Sequence, residues 1–197
     1  AGSGFITLPV ARQIGSSGSV LAIDISEVML EQLKTKALAE NLKNIDFLKT
    51  DNPMLPDISL ESWDLIVSLG GFHHVEQQIE ICRSFHRLLK PGGYAIIMDF
   101  EDGTPVQRHF DSTVHRYTQT GHEGMFLSYS RAENLCRFSG FDKFSIERIE
   151  VPWYFNDVNE MGEYFRIMHS LSISSQKVRD FTLDLFQPQI LTDGSLN

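Results

Sequence analysis

The sequence has 197 residues, 42% of them hydrophobic, and a formal net charge of −9. That length and composition suit one soluble globular domain with a real core. The acidic balance argues against a nucleic-acid backbone as main partner, since that binding needs a basic footprint, and no run approaches the roughly 20 apolar residues of a membrane span.

A small-molecule substrate is therefore expected, with no nucleic-acid and no membrane partner. No basic-plus-apolar leader is visible at the front. Cys82 and Cys136 lie in segments patterned as amphipathic helix. They read as buried thiols rather than a disulfide, in keeping with a cytoplasmic protein.

The chain opens on a glycine turn, Ala1-Gly2-Ser3-Gly4. Residues 5–14 read as a helix stopped by Gly15, with Pro9 in its early part. Residues 19–25 form a short apolar strand ending in Asp24. Ser26 caps the next helix, whose inner face carries Met29, Leu30, Leu33, Ala37 and Leu38. Residues 44–49 are the next strand, followed by the proline-punctuated loop 51–56. Trp63–Leu69 is a strand ended by Gly70-Gly71, and residues 75–89 an amphipathic helix. Pro91-Gly92-Gly93 reads as a turn launching a buried strand over 94–100. This alternation with short connections predicts right-handed crossovers and a parallel sheet.

The alternation breaks near Glu101. Residues 101–125 are polar and aperiodic, as in a lid or binding loop. Ser130-Arg-Ala-Glu133 has capping-box spacing and opens a helix to Phe138, ended by Gly140. Residues 141–151 alternate as a strand. Two helices follow, over 157–171 and 176–186, and then a polar tail.

A glycine turn one strand before an acid builds a nucleotide site: the glycines admit the ligand and the acid grips ribose hydroxyls. A dinucleotide fingerprint wants a third glycine where Thr7 stands. A P-loop wants Gly-Lys-Ser/Thr, and here Phe5-Ile6 follow Gly4. The turn thus suits a ligand with a ribose and a small carboxylate or amine rather than a pyrophosphate. S-adenosylmethionine is such a ligand.

Six motifs in order then resemble one family: Gly2-Ser-Gly-Phe5; Val20-Leu-Ala-Ile-Asp-Ile-Ser26 with Met29-Leu30; Asp51 with Leu55-Pro56; Trp63-Asp-Leu-Ile-Val-Ser68; His73-His74-Val75; and Leu88-Leu-Lys-Pro-Gly-Gly93. Together they resemble the class I S-adenosylmethionine-dependent methyltransferases, in the small-molecule group with a type 11 or 25 domain. The resemblance covers residues 2–151. It implies an α/β, Rossmann-like fold: a mostly parallel sheet flanked by helices, with a helical lid or C-terminal insertion. Residues 1–151 would be the cofactor domain and 152–197 its helical extension. The family's motif begins with a strand, an acid and a further glycine, so the first strand is expected to be missing upstream. A final strand is expected to be missing beyond Leu196.

The resemblance also implies roles. Gly2, Ser3 and Gly4 would lie under the methionine part of the cofactor, or form a plain tight turn. Asp24 would accept from both ribose hydroxyls, or cap a helix. Ile25 would pack on the adenine face, or be core. Asp51, with Asn52 beside it, would take the adenine amino group, or be a loop acid. Leu69 and Gly70 would approach through backbone atoms.

His73 and His74 are the catalytic candidates, as a base if the acceptor must lose a proton, with a hydrogen-bonded structural histidine as the alternative. His109, His115 and His122 lack the spacing of a metal motif, so no metal is expected. Asp99, Glu101 and Asp102 end a strand where substrates bind, or are solvated charges. Trp153-Tyr-Phe155, with Met161, Tyr164, Phe165 and Met168, would roof an acceptor pocket, or be core. A homodimer surface on the late helices is left open beside a lid.

The expected activity is methyl transfer from S-adenosylmethionine to a small acceptor. A non-catalytic methyltransferase-like scaffold is the alternative, followed by a nicotinamide oxidoreductase, which lacks its third glycine and a Tyr-x-x-x-Lys pair. No clustered cysteines favour the arsenic-methylating branch.

Overall fold

The computed structural model describes residues 1–188 and 195. The expected polar tail and the final strand beyond Leu196 lie outside the described residues. The chain divides into two compact units, one of Ala1–Leu69 with Gln77–Ile97, the other of Gly70–Glu76 with the chain from Met98 onward. Residue 151 falls inside the second unit.

In the first unit, helix α1 spans Thr7–Ile14 and buries Thr7, Leu8 and Ala11. It starts two residues later than the pattern suggests. Pro9 therefore sits in the first turn, where an N–H would have no helical partner. Gly15 ends the helix at φ 53°, a conformation that costs glycine little. Strand β1 is Val20–Asp24 and helix α2 is Glu27–Ala39. Ser26 caps α2 as expected, its hydroxyl accepting from the Met29 N–H at 3.4 Å. Strand β2, Ile45–Lys49, runs parallel to β1, with Val20 opposite Ile45 and Asp24 opposite Lys49. Leu8, Ala11, Ala22, Leu33, Ala37 and Ile45 close a core between the helices and this sheet.

Strand β3 is Trp63–Leu69, as the sequence predicts. Helix α3 is Gln78–Leu88, three residues later at its start and one shorter at its end than expected, and a 3-10 turn, Phe72–His74, precedes it. Strand β4 is Leu89–Met98 and pairs with β3. The Ser62 N–H donates to the Leu88 carbonyl and the Gly70 N–H to the Met98 carbonyl, so the two run in one direction. Pro91-Gly92-Gly93 is thus part of a strand and not the turn expected. A Cβ at Gly93 would lie 3.1 Å from the carbonyl oxygens of Trp63 and Asp64, so glycine lets β4 close onto β3. The two sheets have two strands each, and no ladder joins them among the described residues. They share a core: Leu55, Ile58 and Leu88, packed by Leu21, Ile23, Leu48, Trp63, Ile66 and Phe85.

In the second unit the polar stretch 101–125 is largely helical, not the irregular loop expected. Helix α4, Pro105–His109, runs through a π-turn, Phe110–Val114, into α5, His115–Tyr117. Thr104 caps it, accepting from the Gln107 N–H, and Pro105 is its first residue. Cap plus N1 proline is a start signal that the surrounding polar residues obscured. Val106, Phe110 and Val114, four apart, supply its buried stripe with Phe100 and Phe126. Helix α6 is Tyr129–Phe138, capped by Ser128 rather than Ser130. Glu133 pairs with Arg137 at 2.9 Å, so it completes no capping box.

Residues 141–151 form no strand. Alternation makes a strand only where a ladder partner exists, and none stands beside this segment among the described residues. Helix α7 is Val158–Met168, capped by Asp157, and α8 is Ser175–Phe186, capped by Ser174. Met161, Phe165, Leu171 and Val178 form their shared core. A Cβ at Gly162 would lie 2.6 Å from the Ser175 carbonyl and 2.7 Å from Arg179 Cβ, so α7 and α8 touch backbone to backbone there. No helix of the described residues is long and apolar enough to cross a membrane.

Candidate functional site

Parallel pairing of β1 and β2 brings their carboxyl ends together. The Thr50 N–H donates to the Asp24 carbonyl at 3.2 Å, so Ile25 and the pair Asp51-Asn52 leave the sheet side by side. Asp24 Oδ2 accepts from the Gly2 N–H at 2.7 Å and the Ala1 amine at 3.0 Å, and Oδ1 from the Ser26 N–H at 2.8 Å. Ser26, not Asp24, caps α2. Burial pushes the Asp24 pKa up, but the Ser26 and Gly2 N–H groups outweigh it and hold the carboxyl below its ordinary value.

The two leading glycines do different work. Gly4, at φ 98°, has no room for a side chain: a Cβ would meet Leu33 Cδ1 at 2.4 Å and Leu8 Cγ at 3.0 Å. Its bareness serves packing of α1 on α2. Gly2, at φ 55°, has nothing within 4 Å of a Cβ, and Gly70, at φ 63°, is equally open. Ile25 is 67% exposed, so it is not core, and Leu69 is 45% exposed. Asn52 builds its own turn, its side-chain oxygen accepting from the Met54 N–H at 2.9 Å, while Asp51 stands exposed beside it. The Ser3 carbonyl accepts from Lys36.

These features fit S-adenosylmethionine. An ionised carboxylate offers about four acceptor positions, and the Gly2 and Ser26 N–H groups take one on each Asp24 oxygen, leaving Oδ1 able to accept from a sugar hydroxyl. Ile25 offers an uncovered apolar surface at the strand tip. Gly2 leaves space above the turn.

The histidines gather in the second unit. His73 is 3% exposed. Its Nδ1 lies 2.7 Å from Asp99 Oδ1, and its N–H donates to Asp99 Oδ2 at 2.9 Å. Asp99 is spent on this pair and on the Phe100 N–H. It is not the substrate-facing acid the sequence suggested. Burial raises its pKa, and the His73 contact more than reverses that. Glu101 pairs with Arg148 at 3.1 Å.

His74 Nδ1 lies 3.3 Å from the Glu123 carbonyl. His122 stacks on Phe110 at 4.5 Å, and His73 on Phe126 at 4.9 Å. One ring nitrogen from each of His73, His74 and His122 lies within 4.8 Å of the others. Burial lowers the pKa of His74 and takes His122 down to about 4, with the neighbouring imidazoles adding to it.

Sequence reasoning missed His122 and Asp99 as neighbours of His73. His122 stands in the sequence with His109 and His115, but His115 meets only the His122 backbone, its Nδ1 lying 2.8 Å from the carbonyl oxygen and 3.2 Å from the amide nitrogen. His109 sits apart among Phe110, Phe165, His169 and Phe186. Strand β4 and the α4–α5 stretch separate His74 from His122 in sequence, so no local spacing could reveal the cluster. Of the expected aromatic roof, Met161 and Phe165 are core, while Tyr154 and Tyr164 are exposed.

Comparison with known proteins identifies the class. Residues 1–93 match the family model described as a methyltransferase domain. The chain is 33% identical over 177 residues to a demethylmenaquinone methyltransferase of Lactococcus lactis subsp. lactis, an overlap covering 89% of this chain and 65% of that protein. It is 30% identical over 114 residues to a ubiquinone/menaquinone biosynthesis C-methyltransferase of Coxiella burnetii, covering 56% of this chain and 45% of that one. The chain therefore spans less than half the length of the Coxiella relative.

Among solved structures, the YcgJ protein of Bacillus subtilis shares the fold with TM-score 0.68 at 16% identity, covering 100% of this chain and 84% of that one. A SAM-dependent methyltransferase from Aquifex aeolicus aligns with TM-score 0.54 at 21% identity, covering 71% and 67%. Residues 1–93 match a methyltransferase domain, and the fold is the Rossmann-like α/β fold expected. The cofactor this family implies is S-adenosylmethionine, the ligand the Asp24 end of the sheet fits.

Proposed function

We propose that this chain transfers a methyl group from S-adenosylmethionine to a small organic acceptor, and that the acceptor is a ring carbon of a demethylated quinol. When bound, the cofactor supplies a methyl carbon on a sulfonium, a leaving group that needs no protonation. Asp24 accepts from the ribose, and its N–H donors keep it ionised for that task. Ile25 covers an adenine face, Asp51 and Asn52 meet the adenine edge, and Gly2 with Ser3 passes beneath the methionine part. Leu69 and Gly70 contribute backbone atoms. The chain's task is to position two reactants and exclude water. As the C–C bond forms, the S–C bond breaks, and the hydrogen that the methyl replaces on the ring leaves as a proton to solvent once the product is made, so His73 and His74 need not carry it.

The observation that carries the cofactor assignment is Asp24, a strand-end carboxylate with an unused acceptor position beside uncovered Ile25 and bare Gly2. The quinol assignment is supported by the Lactococcus relative, whose similarity covers 89% of this chain. A cytoplasmic setting goes with this reading. Cys82 is buried and Cys136 half-buried, with no disulfide among the described residues, as in a reducing compartment.

Calorimetric titration with S-adenosylhomocysteine tests the site. Asp24→Ala is expected to weaken binding about 10–100-fold, the worth of a hydrogen bond to a charged group, while still unfolding cooperatively. Undiminished affinity in that variant overturns the cofactor assignment. A radiolabelled methyl assay on a demethylated naphthoquinol against amine and phenol acceptors tests the second part, and transfer to the amine alone overturns it.

A further inference from the structure

We propose that His73, His74 and His122 form a binding site for a divalent transition-metal ion of the zinc class, with Asp99 and the Glu123 carbonyl as supporting partners.

Three observations converge on this assignment, all within the second unit. The first is the meeting of nitrogens. One ring nitrogen from each histidine lies within 4.8 Å of the other two. Ligands about 2.1 Å from a tetrahedral zinc stand about 3.4 Å apart. Binding an ion would draw the set in from the present spread toward that value, with His74, the exposed member, the freest to move.

The second is the state of those nitrogens. His73 Nε2 and both ring nitrogens of His122 are buried without a hydrogen-bond partner. A buried imidazole normally finds one. Three rings whose nitrogens converge without bonding one another are arranged for a guest that accepts lone pairs.

The third is the outer layer. His73 directs Nδ1 at the Asp99 carboxylate and His74 directs Nδ1 at the Glu123 carbonyl. Each contact takes the ring's N–H and leaves Nε2 as the lone-pair atom. Carboxylate and carbonyl partners of this kind are what metal-bound histidines use to fix their tautomer and orientation.

The frame is tight enough to hold the set. The Met125 N–H donates to the His73 carbonyl at 2.7 Å. A Cβ at Gly124 would lie 2.9 Å from His73 Cδ2, so the segment carrying His122 lies directly on the turn carrying His73. Phe110 and Phe126 wall two of the rings. An all-imidazole set disfavours magnesium and calcium, which take oxygen ligands, and suits zinc, copper, iron or nickel. Three protein ligands leave a fourth position for water or an oxygen-bearing molecule.

The full chain, dialysed against a chelator, is titrated with Zn²⁺ in competition with a chromophoric chelator. One tight ion per chain is expected. His74→Gln and His122→Gln should each weaken it at least about tenfold, and Asp99→Asn about 10–100-fold, while His86→Gln leaves it unchanged. Co²⁺ should give a visible absorption band that His122→Gln abolishes. His74 is exposed, so His74→Gln is expected to fold even if a substitution at His73 is not tolerated. Absence of stoichiometric Zn²⁺ uptake, or equal affinity in the wild-type and His122→Gln proteins, overturns the proposal. S-adenosylhomocysteine affinity read on the same samples keeps this outcome separate from that of the methyl-transfer proposal.

Discussion

Single residues divide between those the sequence identified by chemistry and those only packing could explain. The place of Asp24 at the end of β1 was legible from the short apolar run that precedes it. The different duties of Gly2 and Gly4 were not legible, since both are glycines in one motif and only the distance to Leu33 separates them. Gly4→Ala should therefore lower stability by about 2–3 kcal/mol through overpacking and an unfavourable φ, read as a shift of the urea midpoint. Gly2→Ala, with open space at its Cβ, should cost less stability. Its loss should appear instead in affinity for S-adenosylhomocysteine. Equal midpoint shifts for the two would refute this division.

At the scale of elements, the first half was legible because its apolar periods and caps agree, as at Ser26, Gly15 and Trp63–Leu69. The misses share one cause, that partners distant in sequence decide the local outcome. Pro91-Gly92-Gly93 joined β4 because β3 comes close enough to demand a glycine. Residues 141–151 stayed irregular because alternation alone supplies no neighbouring strand. Helix α4 was hidden by polar residues, although Thr104-Pro105 announced its start. Thr104→Ala should cost about 1 kcal/mol, the usual worth of an N-cap, measured by chemical denaturation. Where α7 and α8 meet, Gly162→Ala should already be strongly destabilising, because its Cβ would lie 2.6 Å from a Ser175 carbonyl that cannot retreat as a side chain would, and Gly162→Leu should be worse still. Thermal melts of the two variants give the comparison.

For the whole molecule, the clearest lever is pH. His109 and His169 are held at about 4, in each case chiefly by burial, against an ordinary value near 6.5. The unfolded chain therefore binds more protons than the folded one between those values. Stability is full above about pH 6.5, falls as pH drops toward 4, and flattens below. For His109 alone the loss amounts to roughly 3 kcal/mol at most. Both its ring nitrogens are buried without partners, so His109→Phe, in a box already lined by Phe110, Phe165 and Phe186, should raise the melting temperature and shallow the acid slope. Parallel pH profiles of melting temperature for the two proteins would show that this ring does not titrate on unfolding.

The carboxylate of Asp24 ties two events together. It anchors the Gly2 N–H and, by the proposed function, also the sugar. Adding a proton to it would turn an acceptor toward a donor and push the opening turn away from the tip of β1. In strong acid, loss of ligand and detachment of the Gly2 turn from the Asp24 carboxylate should then occur over the same narrow interval, as one event and not two.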